Sequence, residues 1–265
     1  MTGLIAQLSG VFSIAEAVIW QAALVFLRVG AAVALLPGLG ESFLPQKVKI
    51  TAVMVIAAIV FPAVLEAPAG LLGPDPQSTV FTPLNIAAEL VAGLLLGFTL
   101  RLMILCLQTA GTMIGQSISL AQMFNGTGPE PQPIVSNLLT LGGLVLFCSM
   151  GGLARSVELL VYSYEVLPAG QLPDPGEISR WALGLTARAF SLAFTLSAPF
   201  ILAALLYNLA LGAINRAMPS LMVTFIGAPA LTLGGLILLA LASPFLLQSW
   251  HDALGVRLLD PFGPW

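Results

Sequence analysis

The chain has 265 residues, of which 58% are hydrophobic and only 8% charged, with a mean hydropathy of +1.01 and a formal net charge of -3. Soluble domains carry about a quarter charged residues, so this composition excludes a soluble globular protein and indicates an integral membrane protein. The basic residues are scattered without a Lys/Arg run, so nothing in the charge pattern points to nucleic acid, and no nucleic-acid partner is expected.

The apolar mass divides into spans of about 20 residues with no long hydrophilic stretch between them, so a single membrane-embedded domain, residues 1–265, is expected. Met1 to Ser13 lacks the basic flank of a cleaved signal peptide, and Met1 is expected to stay in the mature chain. A first span runs from Ala15 to Leu36 and ends at Pro37-Gly38-Leu39-Gly40. It carries Glu16 and Arg28, about 18 Å apart along a helix and therefore unable to pair with each other. A lone arginine at that depth is costly, so Arg28 is expected to face protein and to find its partner elsewhere in an assembly.

The loop Glu41 to Lys49 holds both lysines of the chain, Lys47 and Lys49, and its basic character assigns it to the cytoplasmic side. The lysines serve either as an ordinary topology anchor or as a contact for an acidic partner. A second span covers Val48 to Leu65 with Pro62 near its end, and the Pro/Gly-rich segment Glu66 to Pro83, which lacks basic residues, fits the opposite side.

From Leu84 the helical pattern runs for about 40 residues, or about 60 Å, twice the thickness of a hydrocarbon core. At 100° per residue, Glu89, Gly93, Gly97, Arg101, Gln108, Gly111, Gly115, Ser119 and Gln122 share one side, within an arc of about 120°. Two readings of this stripe stand. The glycines permit close helix packing, as in Gly93-x-x-x-Gly97 and Gly111-x-x-x-Gly115; or the end from Gly111 to Phe124 is a deformable constriction lining a conduit. Arg101, like Arg28, is expected to be paired rather than lipid-facing.

After Pro129, Pro131 and Pro133 a fourth span covers Ile134 to Leu153, followed by an amphipathic helix from Arg155 to Leu167 and a break at Pro168 to Pro175. The fifth span, Trp181 to Ile214, contains Arg188 and Pro199; a kink there is expected to free a carbonyl near Thr195. Asn215-Arg216-Ala-Met-Pro219 reads as a short cytoplasmic turn, and a last span, Leu221 to Trp250, precedes a polar tail from His251 to Trp265. The fold class is therefore all-α, with about six long, kinked hydrophobic helices arranged as hairpins.

No constellation for catalysis emerges. His251 beside Asp252 is the ordinary pattern of a solvated surface, Gly115-Gln-Ser117-Ile-Ser119 falls short of G-x-S-x-G, and Cys106 and Cys148 sit in apolar segments without a metal-binding or redox spacing. The chain is thus expected to be no enzyme and to need no cofactor or metal. Arg28, Glu89, Arg101 and Arg188, the intramembrane charges, keep a secondary transporter open as one function class. The absence of a convincing internal repeat, the overlong helices and the glycine stripe favour the other, a structural subunit of a larger membrane assembly.

Three blocks carry a family resemblance. Arg28-Val-Gly-Ala-Ala-Val-Ala-Leu-Leu-Pro37 with Leu44-Pro45-Gln-Lys47-Val-Lys49 resembles the first hairpin of the FliR family of flagellar biosynthesis proteins. Thr109-Ala-Gly111-Thr-Met-Ile-Gly115-Gln-Ser-Ile-Ser119 is similar to that family's central segment, and Asn208 to Pro219 with Phe225-Ile-Gly227-Ala-Pro229 resembles its C-terminal hairpin. The sequence departs from the pattern in the Pro/Gly-rich stretch Asn125 to Pro133 and at Met222, where a polar residue is common.

The resemblance implies the R subunit of a type III export gate in the bacterial inner membrane, at the flagellum basal body, with helices stacked in a spiral assembly raised partly out of the membrane plane. It further implies P and Q subunits, FlhB and FlhA as partners, and unfolded flagellar proteins as the transported chains. By the same resemblance Gly111, Met113, Gly115, Gln116, Ser119, Met123 and Phe124 belong to a plug that closes the channel at rest. Lys47, Lys49 and Arg216 then mark cytoplasmic loops. A homologous subunit of virulence-type secretion systems is the alternative identity.

Overall fold

In the computed structural model, residues 2–65, 82–123, 134–218 and 223–263 are described. Among them the chain forms seven α-helices and no strand: α1 (Thr2–Leu35), α2 (Gln46–Leu65), α3 (Pro83–Met123), α4 (Ile134–Ser149), α5 (Gly152–Val166), α6 (Pro175–Ala217) and α7 (Val223–Leu259). Five of them are long and apolar enough to cross a membrane, or six if α4 and α5 count as one broken span. The all-α class and the number of long apolar helices are as expected from sequence, and the chain is a membrane protein.

Local chemistry sets the element ends. After α1, Gly38 takes φ +86°, a left-handed conformation that glycine adopts without strain, and the Gly40 N–H donates to the Leu36 carbonyl at 2.7 Å. The fourth span is shorter than its hydropathy suggests, because Gly151 at φ +75° ends it and lets α5 begin at Gly152. α6 starts six residues before the expected Trp181: the Asp174 carboxylate accepts the Glu177 N–H at 2.9 Å as an N-cap, and Pro175 fills the first helical position, where no N–H is needed. α7 tolerates Pro244 because the Ser243 hydroxyl donates to the Ala240 carbonyl, the acceptor that the proline leaves without a partner, at 3.2 Å.

Two further boundaries differ from the sequence reading. α1 starts at Thr2, since the run before Ala15 contains neither a proline nor a charge that would stop the helix. α7 continues past Trp250 to Leu259, where a polar tail was expected. Trp250, Leu254, Arg257 and Leu258 recur at helical spacing and are all buried, so the helix persists through His251 and Asp252.

The chain divides into two compact units, one from residues 1–101, 147–182 and 256–265, the other from residues 102–146 and 183–255. In the first unit α1 and α2 form a hairpin sealed by Val25, Val29, Ala32 and Val33 against Val53, Ala57, Val60 and Val64. Leu96 of α3, Leu160 and Tyr164 of α5, and Ala169 complete this core. In the second unit Leu107, Ala110, Ile114 and Ile118 form a buried face of α3. There the Trp250 indole N–H donates to the Met103 carbonyl at 2.7 Å, and the Ser136 hydroxyl to the Gln108 carbonyl at 2.8 Å. On α6, which continues through Pro199, the Ser197 hydroxyl donates to the Phe194 carbonyl at 3.0 Å, one residue from the acceptor expected to be freed.

Candidate functional site

The first unit holds a charged centre. Arg28 on α1 meets Glu89 on α3 through two parallel bonds, Nε to Oε2 at 2.7 Å and Nη2 to Oε1 at 3.1 Å, with the side chains 1% and 0% exposed. A bare ion pair at that depth would not offset its own desolvation, so the remaining bonds matter. Arg28 also donates from Nη1 to the Ser163 hydroxyl (3.2 Å) and from Nη2 to the Leu167 carbonyl (3.0 Å), and the Tyr164 ring lies 3.7 Å from its guanidinium carbon. Glu89 accepts the Gly170 N–H at 3.2 Å; Gly170 sits at φ +73° in the turn after α5. One guanidinium thereby ties α1, α3 and α5 together.

Small residues allow the approach. A Cβ at Gly93 would collide with the Arg28 carbonyl oxygen, and one at Gly97 would lie 2.7 Å from the Ala32 carbonyl oxygen. These two glycines therefore serve close packing of α3 on α1. One turn beyond Gly97, Arg101 Nη1 donates to Glu41 in the turn that follows α1. Contacts thus advance together along both segments, Arg28 with Glu89 and Glu41 with Arg101, which makes α1 and α3 parallel neighbours with opposite charge order at the two ends.

The other expected residues are placed as follows. Gly111 is buried, and a Cβ there would collide with the Ser136 backbone of α4, whereas one at Gly115 would meet Val135 only at 3.9 Å. Met113 is half-buried, and its sulfur accepts a bond from the Ser197 hydroxyl at 3.3 Å. Gln116 is exposed. Ser119 and Met123 lie in α3, but their side chains, like Phe124 and the stretch to Pro133, fall outside the described residues. Arg188 and Arg216 are exposed on α6; Lys47 is exposed, and Lys49 Nζ donates to the Gly40 carbonyl at 3.2 Å. Among the described residues no group of three His, Cys, Asp or Glu side chains could hold a metal ion.

Sequence reasoning missed Glu41, Ser163, Tyr164 and Gly170 as members of these networks. Tyr164 and Ser163 stood on the amphipathic helix, whose buried face was a signal; Glu41 was overshadowed by the lysines that follow it.

These features define a polytopic helical membrane protein whose arginines Arg28 and Arg101 are neutralised by its own carboxylates. The chain belongs to the bacterial export proteins, family 1, whose model matches residues 19–255. It is 31% identical over 246 residues to the flagellar biosynthetic protein FliR of Caulobacter vibrioides, covering 92% of this chain and 96% of that one. It is 30% identical to FliR of Escherichia coli K12 over 83% of each chain. The secretion system apparatus protein SsaT of Salmonella typhimurium is 24% identical over 67% of this chain and 71% of its own length.

Proposed function

We propose that this chain is a subunit of a flagellar type III protein export gate in the bacterial inner membrane, where it helps form and close the channel through which unfolded flagellar proteins leave. It catalyses no reaction. It works in a hetero-oligomer with P and Q subunits, with FlhB at the entrance and FlhA as part of the export machinery. The observation that carries this reading is the likeness to flagellar FliR proteins along nearly the whole chain. The likeness to the Salmonella secretion protein is lower in identity and coverage, so a flagellar system is preferred to a virulence system.

The helix lengths support an assembled rather than a solitary state. α1, α3, α6 and α7 contain 34, 41, 43 and 37 residues, against the roughly 20 that cross a hydrocarbon core. The excess length needs protein neighbours to cover it. The segment Gly111 to Phe124 is the channel-closing element in this reading, with Gly111, Met113, Gly115, Gln116, Ser119, Met123 and Phe124 as its residues. Thioethers repack readily and glycine lets backbones close tightly, which suits a reversible seal.

Affinity purification of the tagged chain in mild detergent from its native cell, with mass spectrometry and native mass determination, tests this. Flagellar P and Q subunits in one large complex are expected. A monodisperse monomer or homodimer overturns the reading, and recovery with virulence homologues reassigns the machine.

A further inference from the structure

The first unit carries a recess of about 360 Å³ that the gate reading does not use. Leu95 of α3, Leu172 of the loop after α5, Trp181 of α6 and Phe262 beyond α7 supply its apolar wall, and Asp174 and Glu177 its acidic rim. Trp181 and Phe262 stand with ring centroids 5.6 Å apart and planes inclined at 39°, so two aromatic faces line one side. Both rim carboxylates belong to exposed residues, and no lysine, arginine or histidine is among the lining residues.

We propose that this recess docks a partner-protein segment that presents a lysine or arginine close to an apolar side chain. Charge complementarity selects the occupant. Two carboxylates beside an indole favour a cation, by direct attraction and through the ring face. The same carboxylates repel the phosphate of a lipid headgroup, and no basic side chain on the rim offsets that repulsion. The volume lies near the low end of small-ligand clefts, about 300–1,000 Å³, which suits one or two side chains rather than a whole helix face. The partner's apolar residue takes the wall, and its cation meets Asp174 and Glu177. The proposal is independent of the export role.

Glu177 is the residue to reverse, because only its backbone N–H takes part in the α6 cap, whereas the Asp174 side chain is the cap itself. A photo-reactive benzoyl-phenylalanine is placed at the exposed Leu172 of the full chain in its native cells, and the cross-linked peptide is sequenced by mass spectrometry. A protein segment with Lys or Arg within four residues of an apolar residue is expected. Glu177→Lys is expected to reduce the yield at least tenfold at unchanged expression and elution profile, and reversing the partner's basic residue to Glu is expected to restore it. Cross-links to lipid alone, to a segment without a basic residue, or to nothing overturn the proposal. So does a yield that Glu177→Lys leaves unchanged.

Discussion

Arg28 and Glu89, 61 residues apart in the chain, are joined by two bonds of 2.7 and 3.1 Å where neither side chain meets solvent. The pair is secured at its back by groups of fixed polarity: the Leu167 carbonyl accepts from the arginine, and the Gly170 amide donates to the glutamate. Removing one partner leaves the other as a buried charge, a loss of about 3–5 kcal/mol. Arg28→Gln is therefore expected to cut recovery of monodisperse protein in detergent severalfold and lower its thermal midpoint. Arg28→Lys should recover little, since an ammonium cannot fork across both carboxylate oxygens while reaching Ser163 and Leu167. The exchanged double variant Arg28→Glu with Glu89→Arg should fail as well, because Leu167 and Gly170 cannot exchange polarity. Fluorescence-detected size exclusion with thermal challenge checks all three, and a stable exchanged variant would contradict this account.

The second pair behaves differently because it is wetter. Arg101 and Glu41 retain 29% and 12% side-chain exposure, and no further bond fixes their polarity among those described. Exposed pairs contribute about 0.2–1 kcal/mol. Arg101→Glu, which puts two carboxylates together, should destabilise modestly, and adding Glu41→Arg should restore the wild-type midpoint. A double-mutant cycle at low and high salt measures the coupling, which is expected to shrink with added salt. Absence of rescue would show that Arg101 acts through packing instead.

How far this was legible from sequence follows from the geometry. A lone arginine inside an apolar span demanded a partner, but its partner sits on a helix 61 residues away, and nothing local to Arg28 points to Glu89. The shared side of Glu89, Gly93, Gly97 and Arg101 was visible from the 3.6-residue period, yet that period does not reveal which neighbour the side meets. The continuation of α7 beyond Trp250 was hidden because His251, Asp252 and Arg257 lowered the mean hydropathy, while Leu254 and Leu258 kept the helix packed. The close backbone approach of Gly111 to Ser136 of α4 required knowing that α4 packs against this part of α3.

Glycines that look alike in sequence should respond differently to the smallest substitution. Gly93→Ala and Gly111→Ala put a methyl group into the Arg28 carbonyl and the Ser136 backbone, neither of which is the flexible end of a side chain. Gly212→Ala and Gly234→Ala introduce a methyl with nothing within 4 Å, and on helices α6 and α7 they replace glycine by a better helix former. The first two variants should lower detergent stability clearly; the last two should leave it unchanged or raise it by up to about 1 kcal/mol. Equal responses across the four would remove the packing explanation.

Gly115 separates the two readings of the α3 stripe. A methyl there would meet Val135 at an ordinary 3.9 Å, and Gln116 beside it is exposed, so neither position carries the collision that burdens Gly111. Gly115→Ala and Gln116→Ala should therefore fold and assemble at wild-type levels, judged by complex recovery and midpoint. If this part of α3 closes a channel, the same two variants change the seal without changing the scaffold. Swimming-halo diameter and leak of a small ion across the cell membrane should then shift while complex recovery does not. Normal motility and normal leak in both, with intact complexes, would reject a closing role for these positions and leave helix packing at Gly93, Gly97 and Gly111 as the work of the stripe.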